Sequence, residues 1–204
     1  TSGENDDNGT SIGANALALN SSTIRDRAGN NSTLTHDAVS DNSSVKVDTT
    51  APSVDNFTMN DTELKIGDNA TVTLVFSEAV CVDSSACGGV VFSNADITIP
   101  NLDNNTPSGT LSTMTSDDNR TWIGIFTPTP NAEDDNNTLS LATTYTDLAG
   151  NNGPDNQTAN YEIDTKEPTV SSVAITSAAG IRSNFVNATD NVSVTATFSE
   201  VVNV

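Results

Sequence analysis

Residues Ala70–Val80 read ATVTLVFSEAV. Val72, Leu74 and Phe76 fall on one side of an extended chain and Thr71, Thr73 and Val75 on the other, because side chains alternate across a strand. β-branched and aromatic residues fill the run, which predicts a half-buried strand. The pattern recurs at Asn191–Val202 (NVSVTATFSEVV), where Val192, Val194, Ala196 and Phe198 alternate in the same way. Thr121–Pro128 (TWIGIFTP), Leu139–Thr144 and Ala159–Ile163 are further short strands between Asn-Gly, Asp-Asn, Gly-Pro and Pro-Ser punctuation. Helical periods are nearly absent. Short strands at intervals of about ten residues predict an all-β sandwich or barrel.

The chain repeats itself in larger blocks. Val47-Asp48-Thr49-Thr50-Ala51-Pro52-Ser53-Val54 returns as Ile163-Asp164-Thr165-Lys166-Glu167-Pro168-Thr169-Val170, 116 residues later. Asp26-Arg27-Ala28-Gly29-Asn30-Asn31 returns as Asp147-Leu148-Ala149-Gly150-Asn151-Asn152, 121 later. Val75-Phe76-Ser77-Glu78 is echoed by Thr197-Phe198-Ser199-Glu200, and Asp6-Asp7-Asn8 by Asp134-Asp135-Asn136. All four elements keep one cyclic order, and the period is close to one sandwich of roughly 100 residues. The Asp-Thr-x-x-Pro element is the natural joint, because Pro restrains its own backbone and that of the residue before it. One complete domain is therefore expected over 49–164. Residues 1–48 read as the last part of a preceding repeat, and 165–204 as the first part of a following one.

Lys and Arg number 7 against 27 Asp and Glu, a net charge of −20. Such a field repels nucleic acid and anionic membrane and attracts cations. Hydrophobic residues make up 34% of the chain and aromatics 4%. Disorder is excluded for most of it, because the apolar residues gather in alternating runs. No stretch approaches the length of a transmembrane helix.

The stretch from Asp48 through Ile163 resembles a bacterial Ig-like repeat of very large adhesins and other surface proteins. The resembling pieces are VDTTAPSV, LKIGDNATVTLVFSEAV, FSNADITIPN, GTLSTMTSDDNRTWIGIFTPT, TDLAGNNG and NYEID. The flanks, with NGTSIGANALALNSSTIRDRAGN and VSSVAITSAAGIRSNFVNATDNVSVTATFSEVV, resemble a related repeat named for cyanobacterial swimming-motility proteins. The resemblance implies tandem immunoglobulin-like β-sandwich domains with Greek-key antiparallel sheets, outside the cell or on its surface. It implies a spacer that contacts adjacent repeats, with calcium at the domain joints. Related arrays also build surface layers and filaments. The segment Cys81–Val91 (CVDSSACGGVV) departs from the family pattern as an insertion.

Calcium takes six to eight oxygens from carboxylates, carbonyls and water. Asp48 and Asp164 precede the Pro links, and Asp26 with Asn30 and Asp147 with Asn151 sit in Asp-x-Ala-Gly-Asn turns. Glu78 and Glu200 end apolar strands, and Asp68 and Asp190 stand in the turns before those strands. A carboxylate beside an apolar strand is costly unless a cation or donors satisfy it. Two readings stand side by side for these ten residues: calcium ligands, or side chains capping their own turns. The acidic runs Asp6–Gly9 and Glu133–Asn136 read as solvated turns. Cys81 and Cys87 bracket five residues and are expected to form a small loop disulfide in an oxidising compartment. Asn-x-Ser/Thr acceptors recur, Asn8, Asn31, Asn56, Asn104 and Asn191 among them.

Catalysis finds little footing. His36 is the single histidine, and there is no Gly-x-Ser-x-Gly elbow, phosphate loop or His-based zinc motif. Trp122, in a β-rich run, reads as core sooner than as a sugar platform. The leading expectation is a non-enzymatic, calcium-stiffened stalk segment of an adhesin-like protein. The alternative is a self-assembling subunit of a surface layer or filament, whose partial domains are completed by neighbouring copies.

Overall fold

The computed structural model describes residues 3–103, 105–179 and 185–203; the acceptor at Asn104 lies outside them. Ten strands form three sheets in the central region. β5 (Val54–Met59), β7 (Ala70–Phe76), β10 (Thr121–Pro128) and β9 (Gly109–Leu111) form one antiparallel sheet in that order. β11 (Glu133–Asn137), β14 (Tyr161–Asp164) and β6 (Glu63–Lys65) form a second. A third joins β13 (Asn156–Gln157), β12 (Ser140–Leu141) and β8 (Ile97–Thr98).

The alternation of β7 decides what lies inside. Val72, Leu74 and Phe76 are fully buried, while Thr71, Thr73 and Val75 are half-buried on the outer side. Trp122 and Phe126 of β10 face inward beside them, since Trp122 stands opposite Leu74 and Phe126 opposite Ala70. From the other sheets Leu64, Leu141, Tyr161 and Ile163 enter the same core. Phe126 meets Tyr161 edge-on at 5.1 Å, and Phe92 meets Trp122 at 4.7 Å. Two sheet layers sharing one apolar core make a β-sandwich.

One pairing runs against the antiparallel rule. β6 lies parallel to β14, with Leu64 opposite Ile163. A parallel pair needs a long crossover. Here nearly the whole domain separates β6 from β14, so the chain returns from the far side. The strand expected over Leu139–Thr144 narrows to β12, with Leu139 buried just before it.

The flanks hold smaller sheets. β1 (Asn5–Asp6) pairs with β4 (Val47–Asp48), and β2 (Thr10–Ile12) pairs with β3 (Val39–Asn42). β15 (Val170–Ala179) and β16 (Asn191–Phe198) form a hairpin. The sequence alternation of β16 matches that of β7, but its apolar residues are exposed. Alternation fixes which side chains share a face. An opposing sheet is what buries that face, and none covers this one among the described residues.

Candidate metal centres at the domain joints

The joint begins where β4 ends. Asp48 lies just before the link to the buried Pro52, and its Oδ1 accepts a hydrogen bond from Thr50 N at 3.0 Å. Behind it stands the turn Asp147–Asn151. Gly150 adopts a positive φ of 92°, which only Gly takes without strain. This lets the chain fold back so that Asp147 Oδ1 accepts from Ala149 N at 2.8 Å and Asn151 N at 2.9 Å. The Asn151 amide donates to Asp147 Oδ2 at 2.8 Å and to the carbonyl oxygens of Asp48 and Thr50, each at 3.2 Å. Asp147 is 1% exposed. Glu78 follows β7 from the same side, anchored by Ser77, whose Oγ accepts from Ser53 N at 2.9 Å.

Asp48, Glu78 and Asp147 each present an oxygen, and these atoms lie within 4.8 Å of one another. Burial pushes the Glu78 carboxyl above its ordinary value, and the charges of Asp48 and Asp147 push it further. Arg120 opposes the rise and Asp7 adds to it. Three carboxylates this close repel unless a proton or a cation intervenes. Oxygens bound to one calcium at about 2.3–2.6 Å stand at most roughly 5 Å apart, so the set fits a single ion of that kind.

The second joint repeats the plan. Thr169 N donates to Ser199 Oγ at 2.9 Å, as Ser53 N does to Ser77, and Lys166 N donates to Asp164 Oδ1 at 3.3 Å, as Thr50 N does to Asp48. Glu133, Asp164 and Glu200 bring oxygens within 4.8 Å of one another. Glu200 Oε1 is buried and accepts no hydrogen bond among the described residues. The second joint also contains a built-in cation: Lys166 pairs with Glu133, which raises the Lys166 ammonium above its ordinary value.

A family model described as bacterial Ig-like domain matches residues 48–163, more than half of the chain. The chain belongs to the bacterial Ig-like domain family. A search of curated proteins finds no match. Among solved structures, the N-terminal part of the bacterial S-layer protein SbsC is similar at 14% identity with a TM-score of 0.32. That likeness covers 61% of this chain and 26% of the solved one, so it spans about a quarter of that structure.

The remaining candidate residues, Asp68 in the Ig-like domain and Asp26, Asn30 and Asp190 in the flanks, sit apart from the clusters. Asp68 Oδ2 accepts from Lys65 N at 3.3 Å and pairs with Lys65 Nζ at 3.0 Å, closing the turn before β7. Asp190 Oδ2 closes the equivalent turn before β16 by accepting from Asn187 N at 2.7 Å. Asp26 and Asn30 reproduce the Asp147–Asn151 turn bond for bond, and these bonds hold the Asp26 carboxyl below its ordinary value. They do so on an exposed surface with no joint beside them. Glu133 was missed as a site residue, because its run reads as a solvated turn. It lies on β11 directly opposite Asp164. Its counterpart Asn5 faces Asp48 in the same way but carries no charge, so the repeat gave no signal there.

The Ig-like domain joins Cys81 to Cys87 by a disulfide. Trp122 is buried in the core and packs against Phe92. Among the described residues no helix is long and apolar enough to cross a membrane.

Proposed function

We propose that the chain is a stalk segment of a large extracellular, adhesin-like repeat protein, and that calcium sets the angle at its domain joints. The observation that carries this reading is the pair of carboxylate clusters at repeat-equivalent places. Each cluster takes groups from both sides of a Pro link. Asp48 ends β4, which pairs with β1 of the leading flank, whereas Glu78 and Asp147 lie inside the Ig-like domain. Glu133 lies inside that domain, Asp164 ends β14 opposite it, and Glu200 follows the trailing hairpin. Calcium supplies a hard divalent charge for oxygen donors. The residues themselves do the mechanical work: they gather oxygens from two modules at one point, so the Pro link gains a second attachment. Membership of the Ig-like family and the strong negative charge support a structural module in a salt-rich exterior.

The test is a calcium titration of the 204-residue chain, read by thermal unfolding and small-angle scattering. The expected result is a higher melting temperature together with a longer maximum dimension. Magnesium, which prefers to keep its waters, is expected to do less. A chain that neither melts higher nor lengthens with calcium sinks the calcium joint.

A further inference from the structure

Two of the Asn-x-Ser/Thr acceptors recur with the repeat, and the joints make no use of them. Asn69-Ala70-Thr71 returns as Asn191-Val192-Ser193, 122 residues on. Asn8-Gly9-Thr10 returns as Asn136-Asn137-Thr138, 128 residues on. Strand pairing supports the second alignment, since Asn5 lies opposite Asp48 as Glu133 lies opposite Asp164. In both pairs the middle residue changes, and in one the hydroxyl passes from Thr to Ser. What persists is an amide two residues before a hydroxyl, the pattern an N-glycan acceptor requires.

The Ig-like domain places these positions in a complete sandwich. Asn69 lies in the connection between β6 and β7, and Asn136 lies where the register of β11 against β14 shifts between Asp134 and Asn137. Neither has a ladder partner. Both are exposed, whereas the residues that follow them, Ala70 and Asn137, are buried. Thr71 and Thr138 then reach the surface again. Asn69 Oδ1 accepts from Thr127 Oγ1 at 2.7 Å, and its amide nitrogen has no partner among the described residues. Asn136 is held through its backbone N, which donates to Asp134 Oδ1 at 3.0 Å, and its side chain is unbonded among the described residues. Asn156 makes the contrast. It lies in the ladder opposite Leu141, and the hydroxyl of its pattern is withdrawn: Thr158 is buried, and its Oγ1 accepts from Leu139 N at 3.0 Å.

We infer that Asn69 and Asn136 carry N-linked glycans, attached to the folded domain. The donor is a sugar activated as a glycosyl phosphate, presented by a transferase of the producing cell. The amide nitrogen bonds to the anomeric carbon, the bond from that carbon to the phosphate oxygen breaks, and the phosphate leaves with the electron pair. The amide gives up one proton to a base of the transferase. Among the described residues β11 has a strand neighbour on one side only. A bulky, hydrophilic glycan at Asn136 closes that edge to strand addition by other chains. This inference rests on the extracellular placement in the stalk reading and does not depend on calcium.

The test is glycopeptide mass spectrometry of the whole protein from the cells that make it, after cleavage at acidic residues. Protease treatment of intact cells reports whether the chain is outside. The peptides spanning Asn69 and Asn136 are expected to carry a series of masses spaced by whole sugar residues, and the peptide spanning Asn156 to be bare. Thr138→Val is expected to abolish the series at Asn136 and Thr138→Ser to keep it. The near-ultraviolet signal of Trp122 reports that each variant is folded. Bare peptides at Asn69 and Asn136 from a protein that the protease reaches overturn the inference and leave the stalk reading standing. Bare peptides from a protein it does not reach sink both. A series that survives Thr138→Val, or one as full at Asn156 as at Asn136, also overturns the inference.

Discussion

The side-chain amide of Asn151 donates at 3.2 Å to the backbone carbonyl of Asp48, across 103 residues of chain. The same amide holds Asp147 Oδ2 at 2.8 Å. One side chain therefore ties the end of β4 to the carboxylate that completes the first cluster. Asn151→Ala removes both bonds, and the one to the Thr50 carbonyl as well, and leaves a buried carboxylate short of a donor. The expected loss is about 1–2 kcal/mol of domain stability, read by urea unfolding. Asn30→Ala removes the equivalent amide in the exposed turn and is expected to change little. Equal effects at the two sites would mean that Asn151 serves only its own turn.

Glu78 gives the first joint a pH signature. Its raised folded value means that the folded chain keeps a proton which the unfolded chain releases near pH 4.5. Without metal, stability is fully present below that pH. It declines as pH rises until the folded carboxyl ionises, and is flat beyond. Glu78→Gln removes the decline, so at neutral pH without calcium the variant is expected to be more stable than wild type. With calcium the order reverses, because the ion loses a ligand. Calcium at 100 times its dissociation constant stabilises by about 2.7 kcal/mol, and Glu78→Gln is expected to forfeit most of that. A calcium increment unchanged in the variant would remove Glu78 from the ligand set.

Much of this was legible in the residues, for physical reasons. The period-two runs at β7 and β10 place Val72, Leu74, Phe76, Trp122 and Phe126 in the core, since alternation is a property of the strand itself. The repeat sets Asp48 and Glu78 against Asp164 and Glu200, and the structure gathers the first pair with Asp147 and the second with Glu133. Glu133 was hidden because its repeat counterpart is a neutral Asn. Strand β6 was hidden too: it has three residues, one apolar, and its identity comes from a partner 99 residues away, Leu64 opposite Ile163. The hairpin β15–β16 carries the same pattern as β5–β7. Whether it is covered depends on another sheet, which no local pattern encodes.

Thr50 and Lys166 occupy the same place in the repeat, and only Lys166 brings a charge to its joint. Lys166 pairs with Glu133 where a cation would otherwise compete for that carboxylate. The first joint is therefore expected to take calcium more tightly than the second. Lys166→Thr is expected to strengthen calcium binding at the second joint, and Thr50→Lys to weaken it at the first, by isothermal titration calorimetry. Identical affinities in both variants and wild type would show that the lysine charge does not reach the sites.

Both tyrosines of the chain are buried. Burial pushes the phenols of Tyr145 and Tyr161 up to about 12. An unfolded tyrosine ionises near pH 10, so stability is expected to fall as pH climbs from there towards 12. Absorbance titration of native protein is expected to show no tyrosinate at pH 10. The signal should appear together with unfolding. Tyr161→Phe leaves the buried Ser108 hydroxyl without its partner at 2.9 Å, an expected cost of about 1–3 kcal/mol. A tyrosinate signal that rises at pH 10 while the fold persists would place at least one ring in solvent.

Val72 and Val194 stand at the same position of the repeat, 0% and 62% exposed. Truncating each to Ala removes the same two methyl groups. Inside the domain the loss of transfer energy is joined by a cavity that neighbours at native density fill only in part, so Val72→Ala is expected to cost about 2–3 kcal/mol. In dilute solution Val194→Ala takes nothing out of a core and is expected to stay within about 0.5 kcal/mol. Unfolding followed at Trp122 separates the two. A Val194→Ala effect as large as that of Val72→Ala at high dilution would mean that the hairpin is already covered within its own chain.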